Sequence, residues 1–157
     1  MNILFLCTGN SCRSIMAEAL FKSMVPAGVS VQSAGSRPAG FVHPRALDVL
    51  REAGFATTGL FSKSWDDLPA KPDVVITLCD NAAGESCPLS FGTVVRSHWG
   101  MPDPARVQGD EAAIKAAFAE TLAVLRRRIG ALANRLAAAP GMNPDRLQAV
   151  LDAIAAM

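Results

Sequence analysis

Apolar positions along the chain follow two periods, and the switches between them mark the elements. Ile3 to Cys7 is an unbroken apolar run, the pattern of a strand buried on both faces. Ile15 to Met24 carries apolar residues at helical spacing, and Val29 to Ser33 alternates between Gly28 and Gly35 as a second strand. His43-Pro44 opens a helix that runs through Ala53 and ends at Gly54, with Ala46, Leu47 and Leu50 on its inner face. Asp73 to Leu78 is another continuous run, following Pro72 and ending at Cys79; Thr93 to Arg96 gives a shorter fourth strand. From Glu111 to Ala139, Ile114, Phe118, Leu122, Leu125, Ile129, Leu132 and Leu136 step by three and four, predicting a long amphipathic helix. Pro144 to Met157 repeats that pattern with Leu147, Val150, Leu151 and Ile154.

Strands alternating with helices predict an α/β three-layer sandwich: a central parallel four-stranded sheet with helices on both faces. Ligands then bind beyond the carboxyl ends of the strands. Cys7, Cys79 and the loop after the fourth strand all fall at such ends. At 157 residues, half of them apolar, the chain can bury one good core. Residues 1–139 form the expected catalytic domain and residues 140–157 a C-terminal helical extension, either packed on the domain's own surface or forming a dimer contact.

A formal net charge of +1 and 18% charged residues give no electrostatic footprint for nucleic acid, and Arg126-Arg127-Arg128 reads as the solvated face of a helix. The run from Ile3 to Cys7 is too short for a signal sequence or membrane span, so no membrane partner and a cytoplasmic location are expected. In a reducing cytoplasm, four cysteines suggest chemistry or metal binding rather than structural cross-links. Their spacing, with His43 and His98, fits no zinc module, and no metal centre is expected.

The first chemistry-bearing segment is Cys7-Thr8-Gly9-Asn10-Ser11-Cys12-Arg13-Ser14. Lying between a strand and a helix N-terminus, its backbone N–H groups can turn inward around a tetrahedral anion. Arg13 adds a planar fork for two oxygens, and Ser14 can donate to the sulfur of Cys7. Helix N-termini and a neighbouring arginine lower a cysteine pKa, so Cys7 is expected to be mostly thiolate. Gly9 suits close approach or positive φ, and Asn10 tolerates the left-handed region.

CTGNSCRS, followed by MAEAL and by SAGS at Ser33 to Ser36, resembles the low-molecular-weight tyrosine-phosphatase fold and, within it, the arsenate reductases, from about Met1 to Arg135. The resemblance makes Cys7 the nucleophile, Thr8 to Ser14 the oxyanion loop, and Asp103 of HWGMPDPA the residue that protonates the leaving oxygen. His98 and Trp99 are read as scaffold. In CDNAAGESC, Cys79 and Cys87 suggest thiols that supply electrons, which a phosphatase does not need. In one continuous helix eight steps of about 1.5 Å would hold their Cα atoms about 12 Å apart, and a disulfide needs about 7 Å or less. The segment must therefore bend, with Gly84 and Pro88 as breakers.

By resemblance, Cys7 attacks arsenate, Cys79 attacks Cys7, and Cys87 attacks Cys79, leaving an outer disulfide for thioredoxin, or for glutaredoxin or glutathione. Two departures stand out. The pair is separated by seven residues, one more than in thioredoxin-linked members. Where some relatives place a potassium-liganding aspartate stands Trp65, beside Asp66, although Asn10, Glu18 and Ser33 match the other potassium ligands. Cys12 beside Arg13 is either a protective partner for the nucleophile or a loop-packing residue. The alternatives are a tyrosine phosphatase, disfavoured by Ala105 where an aromatic normally follows Asp-Pro, and a catalytically idle anion-binding module.

Overall fold

The computed structural model describes residues 1–80, 84 and 91–157. Its elements are β1 (Asn2–Cys7), α1 (Arg13–Lys22), β2 (Ser30–Gly35), α2 (Pro44–Glu52), β3 (Val74–Thr77), β4 (Val95–His98), α3 (Glu111–Ala138) and α4 (Pro144–Ala155). The four strands form one sheet in the order β2-β1-β3-β4, every pair parallel, as the α/β pattern predicts. Register brings Cys7 opposite Gly35 and Leu6 opposite Thr77, so the carboxyl ends finish on one edge of the sheet.

Alternation along the strands divides the interior in two. Ile3, Phe5, Val74 and Ile76 belong to the larger cluster, which also takes the buried faces of α1, α2, α3 and α4. Leu4, Leu6 and Val75 point to the other face, where the described cover comes from Phe91, Leu68 and the Trp65 of a short 3-10 turn, Trp65–Asp67. Phe5 meets Phe21 and Trp99 with ring centroids 6.2 and 6.1 Å apart, which ties α1 and the end of β4 to the sheet centre.

Two expectations change. The fourth strand runs from Val95 rather than Thr93, because its pairing with β3 starts at Val74↔Val95 and continues to Thr77↔His98. Polar Ser97 and His98 belong to it since the ladder and the Thr77 Oγ1 to His98 Nδ1 hydrogen bond, 2.7 Å, outweigh side-chain polarity. Arg128 does not lie on a solvated face: it is buried, donating to Trp99 O at 3.1 Å and Ala155 O at 3.3 Å. Hydrogen-bonding periodicity cannot be read from an arginine triplet, and only the packing of α4 shows which arginine turns inward.

The apolar stripe of α4 joins the chain's own core through Leu147, Val150, Leu151 and Ile154, and Trp99 Nε1 donates to Leu151 O at 3.2 Å. Among the described residues no helix is long and apolar enough to cross a membrane. Leu151→Ala is expected to lower unfolding free energy by roughly 2–5 kcal/mol, the usual cost of a buried leucine truncation. Urea denaturation checks this; a loss below about 1 kcal/mol would mean that α4 is not part of the core.

Candidate active site

The segment after β1 is held from outside by its carbonyls. Thr8 O, Gly9 O and Ser11 O accept from the N–H groups of Arg37, Ala39 and His43 at 3.0, 2.8 and 2.9 Å. Among the described residues, no backbone N–H of residues 9–12 donates to a protein group in these turns and loops. Cys12 is the N-cap of α1 and makes no side-chain capping bond. The inward amides and the helix dipole are therefore left for an anion. Positive φ falls on Asn10, at 46°, not on Gly9, whose Cβ position would meet only ordinary contacts.

Cys7, Thr8, Gly9, Asn10, Ser11, Cys12 and Arg13 line one cavity of about 450 Å³, whose opposite wall includes Cys79, Asp80 and Asp103. Arg13 is the link between the walls. Its Nη1 donates to Met101 O at 3.0 Å, its Nη2 lies 3.5 Å from Asp103 Oδ2, and its Nε is buried without a partner among the described residues. Asp103 caps the 3-10 turn Pro104–Arg106 by accepting from Ala105 N at 3.0 Å, and its other oxygen is 3.8 Å from Arg106 Nε. That places a carboxyl group at the mouth of an otherwise anion-attracting cavity.

Cys79 is folded into the same cavity wall as Cys7: Thr8 Oγ1 is 3.5 Å from its sulfur, and its proximity is the largest influence raising the Cys7 pKa. This corrects the expectation that Cys7 is mostly thiolate. Cys79 and then burial push the Cys7 thiol up, and Arg13 and the Thr8 amide only partly oppose them. Two adjacent buried sulfurs cannot both ionise readily, so the pair retains a proton. Burial also raises Cys12, to about 11, leaving it a thiol at neutral pH.

Ser14 stands behind the cradle rather than among its lining residues, and its buried hydroxyl accepts from Asn10 Nδ2 at 2.9 Å. Asn10 Nδ2 also donates to Ser33 Oγ at 3.0 Å, and Ser33 Oγ donates to Glu18 Oε2 at 2.8 Å, so the three expected potassium ligands do meet. Among the described residues no group of three or more His, Cys, Asp or Glu side chains is gathered for a metal ion. Cys87 lies outside the described residues.

Several residues that support the loop carry no local sequence signal. Ser62 Oγ donates to Gly9 O at 3.2 Å, and Lys63 N donates to Asn10 Oδ1 at 2.9 Å. A side chain at Gly35 would drive its Cβ into Thr8 O and lie 3.0 Å from Cys7 O, so β2 can approach the cradle only as glycine. His98, read as scaffold, bridges Thr77 and Asp80, with its Nε2 3.0 Å from Asp80 Oδ1 beside Cys79. The glycine in SAGS was a visible signal; Ser62, Lys63 and Asp80 carried none, their partners lying far away in sequence.

A parallel α/β sheet whose first strand ends in a cysteine, and whose next loop is an amide nest closed by arginine, sets a thiol beside a cavity suited to a tetrahedral oxyanion. The low molecular weight phosphotyrosine protein phosphatase family matches residues 2–140, and the chain belongs to it. The arsenate reductase of Bacillus subtilis (strain 168) is 44% identical over 110 residues, covering 69% of this chain and 78% of its own. An arsenate reductase solved in the phosphate binding state has a TM-score of 0.66 at 26% identity, covering 85% of this chain and 97% of that one. A YwlE arginine phosphatase with a phosphorylated active site serine gives 0.64 at 26%, covering 87% and 95%.

Because Cys79 is the largest upward influence on Cys7, Cys79→Ala is expected to move the Cys7 titration to lower pH, and Arg13→Ala to move it higher. Iodoacetamide labelling against pH, followed on the Cys7 peptide by mass spectrometry, reads both. A Cys79→Ala midpoint equal to or above wild type contradicts the pairing.

Proposed function

We propose that the chain is an arsenate reductase that reduces arsenate to arsenite through successive thiol attacks, as part of arsenic detoxification. The observation that carries this reading is that Cys79 lines the same anion cavity as Cys7, its sulfur 3.5 Å from Thr8 Oγ1 in the loop that leaves Cys7. Hydrolysis of a phosphocysteine needs a water there; reduction needs a second sulfur. The arsenate reductases among the relatives support the same choice.

Arsenate enters the cradle, where the loop amides and Arg13 hold its oxygens and accumulate positive potential around it. Cys7 loses its proton to the bound oxyanion and attacks arsenic; one oxygen departs as water, with Asp103 relaying the proton. Cys79 then attacks the sulfur of Cys7. The S–S bond forms as the S–As bond breaks, the electron pair passes to arsenic, and the Cys79 proton accompanies the departing arsenite. Cys87 attacks Cys79 in turn, releasing Cys7 as a thiolate and moving the disulfide to Cys79 and Cys87. An external thiol reductant completes the cycle, a dithiol such as thioredoxin first, with glutaredoxin or two molecules of glutathione leaving as their disulfide as alternatives, which fits a reducing cytoplasm. No tightly bound cofactor takes part in any step.

The cradle also suits phosphate, and attack by Cys7 is common to both reactions, so slow aryl-phosphate hydrolysis accompanies the main activity. Ala105 at the cavity rim offers no aromatic face for a phenol ring. Cys79→Ser or Cys87→Ser is expected to reduce multiple-turnover arsenate reduction at least about a hundredfold, in the range typical of losing a reacting group, while sparing p-nitrophenyl phosphate hydrolysis. NADPH consumption through thioredoxin and thioredoxin reductase, beside nitrophenol release, measures the two. Equal loss of both activities would overturn the thiol relay.

A further inference from the structure

Beneath the anion loop lies a buried charge pair that none of these steps uses. Glu18 is 3% exposed and Lys63 9% exposed, and Lys63 Nζ is 3.7 Å from Glu18 Oε2. Among the described residues the ammonium also meets Phe61 O at 3.4 Å and the Phe61 ring, whose centroid is 4.5 Å away. Backbone and side chain of the same lysine then close a ring. Lys63 N–H donates to Asn10 Oδ1, Asn10 Nδ2 donates to Ser33 Oγ, Ser33 Oγ donates to Glu18 Oε2, and Glu18 faces the Lys63 ammonium. Asn10 is the residue whose φ of 46° gives the loop its inward curl.

The residues do not fit a metal cation at this place. The backbone donor of Lys63 fixes the amide orientation of Asn10, so its oxygen is committed and its NH₂ faces the serines. Both Glu18 oxygens already face ammonium groups, Oε1 that of Lys22 at 3.2 Å and Oε2 that of Lys63. A potassium ion would meet one free hydroxyl lone pair and two positive charges. We propose that Lys63 is a positioning residue whose ammonium takes the place of a monovalent metal cation, facing the Glu18 carboxylate so that the Ser33–Asn10 relay keeps the loop in its anion-receiving shape. Burial, with Lys22, leaves the Lys63 pKa below the ordinary lysine value, the Glu18 carboxylate only partly opposing it.

The inference rests on residues 8–13 being the oxyanion loop, and the test separates the two ideas. Lys63→Ala keeps the two backbone hydrogen bonds of this residue, its N–H to Asn10 Oδ1 and Gly35 N–H to its carbonyl, and removes the ammonium; Lys63→Met also keeps most of the stem and guards against loss from packing alone. Two quantities are read at constant ionic strength in choline chloride, potassium chloride or methylammonium chloride: the affinity for inorganic phosphate by calorimetry, and the melting temperature without phosphate. Wild type is expected to be indifferent to the cation in both. Lys63→Ala is expected to bind phosphate about tenfold more weakly in choline, and to regain most of that affinity, together with melting temperature, in potassium or methylammonium. Lys63→Met, whose stem fills the cavity, is expected to show the loss without the rescue.

A wild-type protein that itself gains affinity or melting temperature in potassium would overturn the proposal, as would a Lys63→Ala variant that behaves like wild type or loses affinity without rescue. Should wild type fail to bind phosphate at all, the oxyanion-loop reading fails, and the cation response of the melting temperatures still decides the role of Lys63. If Lys63→Ala does not fold in choline, folding in potassium or methylammonium supports the proposal, and folding in none of them, while Lys63→Met folds, overturns it.

Discussion

Everything at the active edge depends on the carbonyls of the loop being bound from behind. A short stretch of backbone can present its amides to an anion only if its carbonyl dipoles point elsewhere and are satisfied there. The segment around residues 37–43 does this with three hydrogen bonds, and Ser62 adds another at Gly9 O. Asn10 sustains the curl in the left-handed region, with every polar atom of its side chain engaged. The sheet contributes by ending β1 and β2 side by side, where Gly35 lets Thr8 pass. Anion recognition is thus a property of the fold's edge, built from peptide groups, with Arg13 supplying the formal charge.

The same edge brings two sulfurs together. Strands β1 and β3 are neighbours, so chain segments leaving their carboxyl ends meet, and Cys79 reaches Cys7 without any long excursion. The contact has two consequences of opposite sign. It suppresses ionisation of Cys7, and it places a second sulfur where it can attack the first. In the proposed reaction a bound oxyanion shifts that balance, because a charged ligand that accepts hydrogen bonds from the loop can also accept the proton that the sulfurs retain.

Period and run length in the sequence were enough to locate the strands and helices, because a buried parallel strand is a continuous apolar run and an amphipathic helix repeats every three to four residues. The edge strand was displaced by two residues, since Ser97 and His98 are strand residues only through their partners in β3. The loop at residues 7–14 was legible because its parts are contiguous. Cys79 was legible as a residue type at a strand end, but its contact with Cys7, and the upward pull that follows, arise between segments 72 positions apart. Lys63 shows the limit most clearly: in the sequence it is one more surface-type lysine, and only the meeting of the loop after α2 with α1 and β2 buries it against Glu18.

In the proposed relay Cys79 attacks the sulfur of Cys7 while arsenic is still bound to it. A single turnover of the Cys87→Ser variant with arsenate, quenched in acid and analysed by peptide mass spectrometry, tests that step directly. One Cys7–Cys79 disulfide per arsenite released is expected. Arsenite release without that disulfide, or an oxidised pair formed by Cys7 and Cys12 instead, would contradict it.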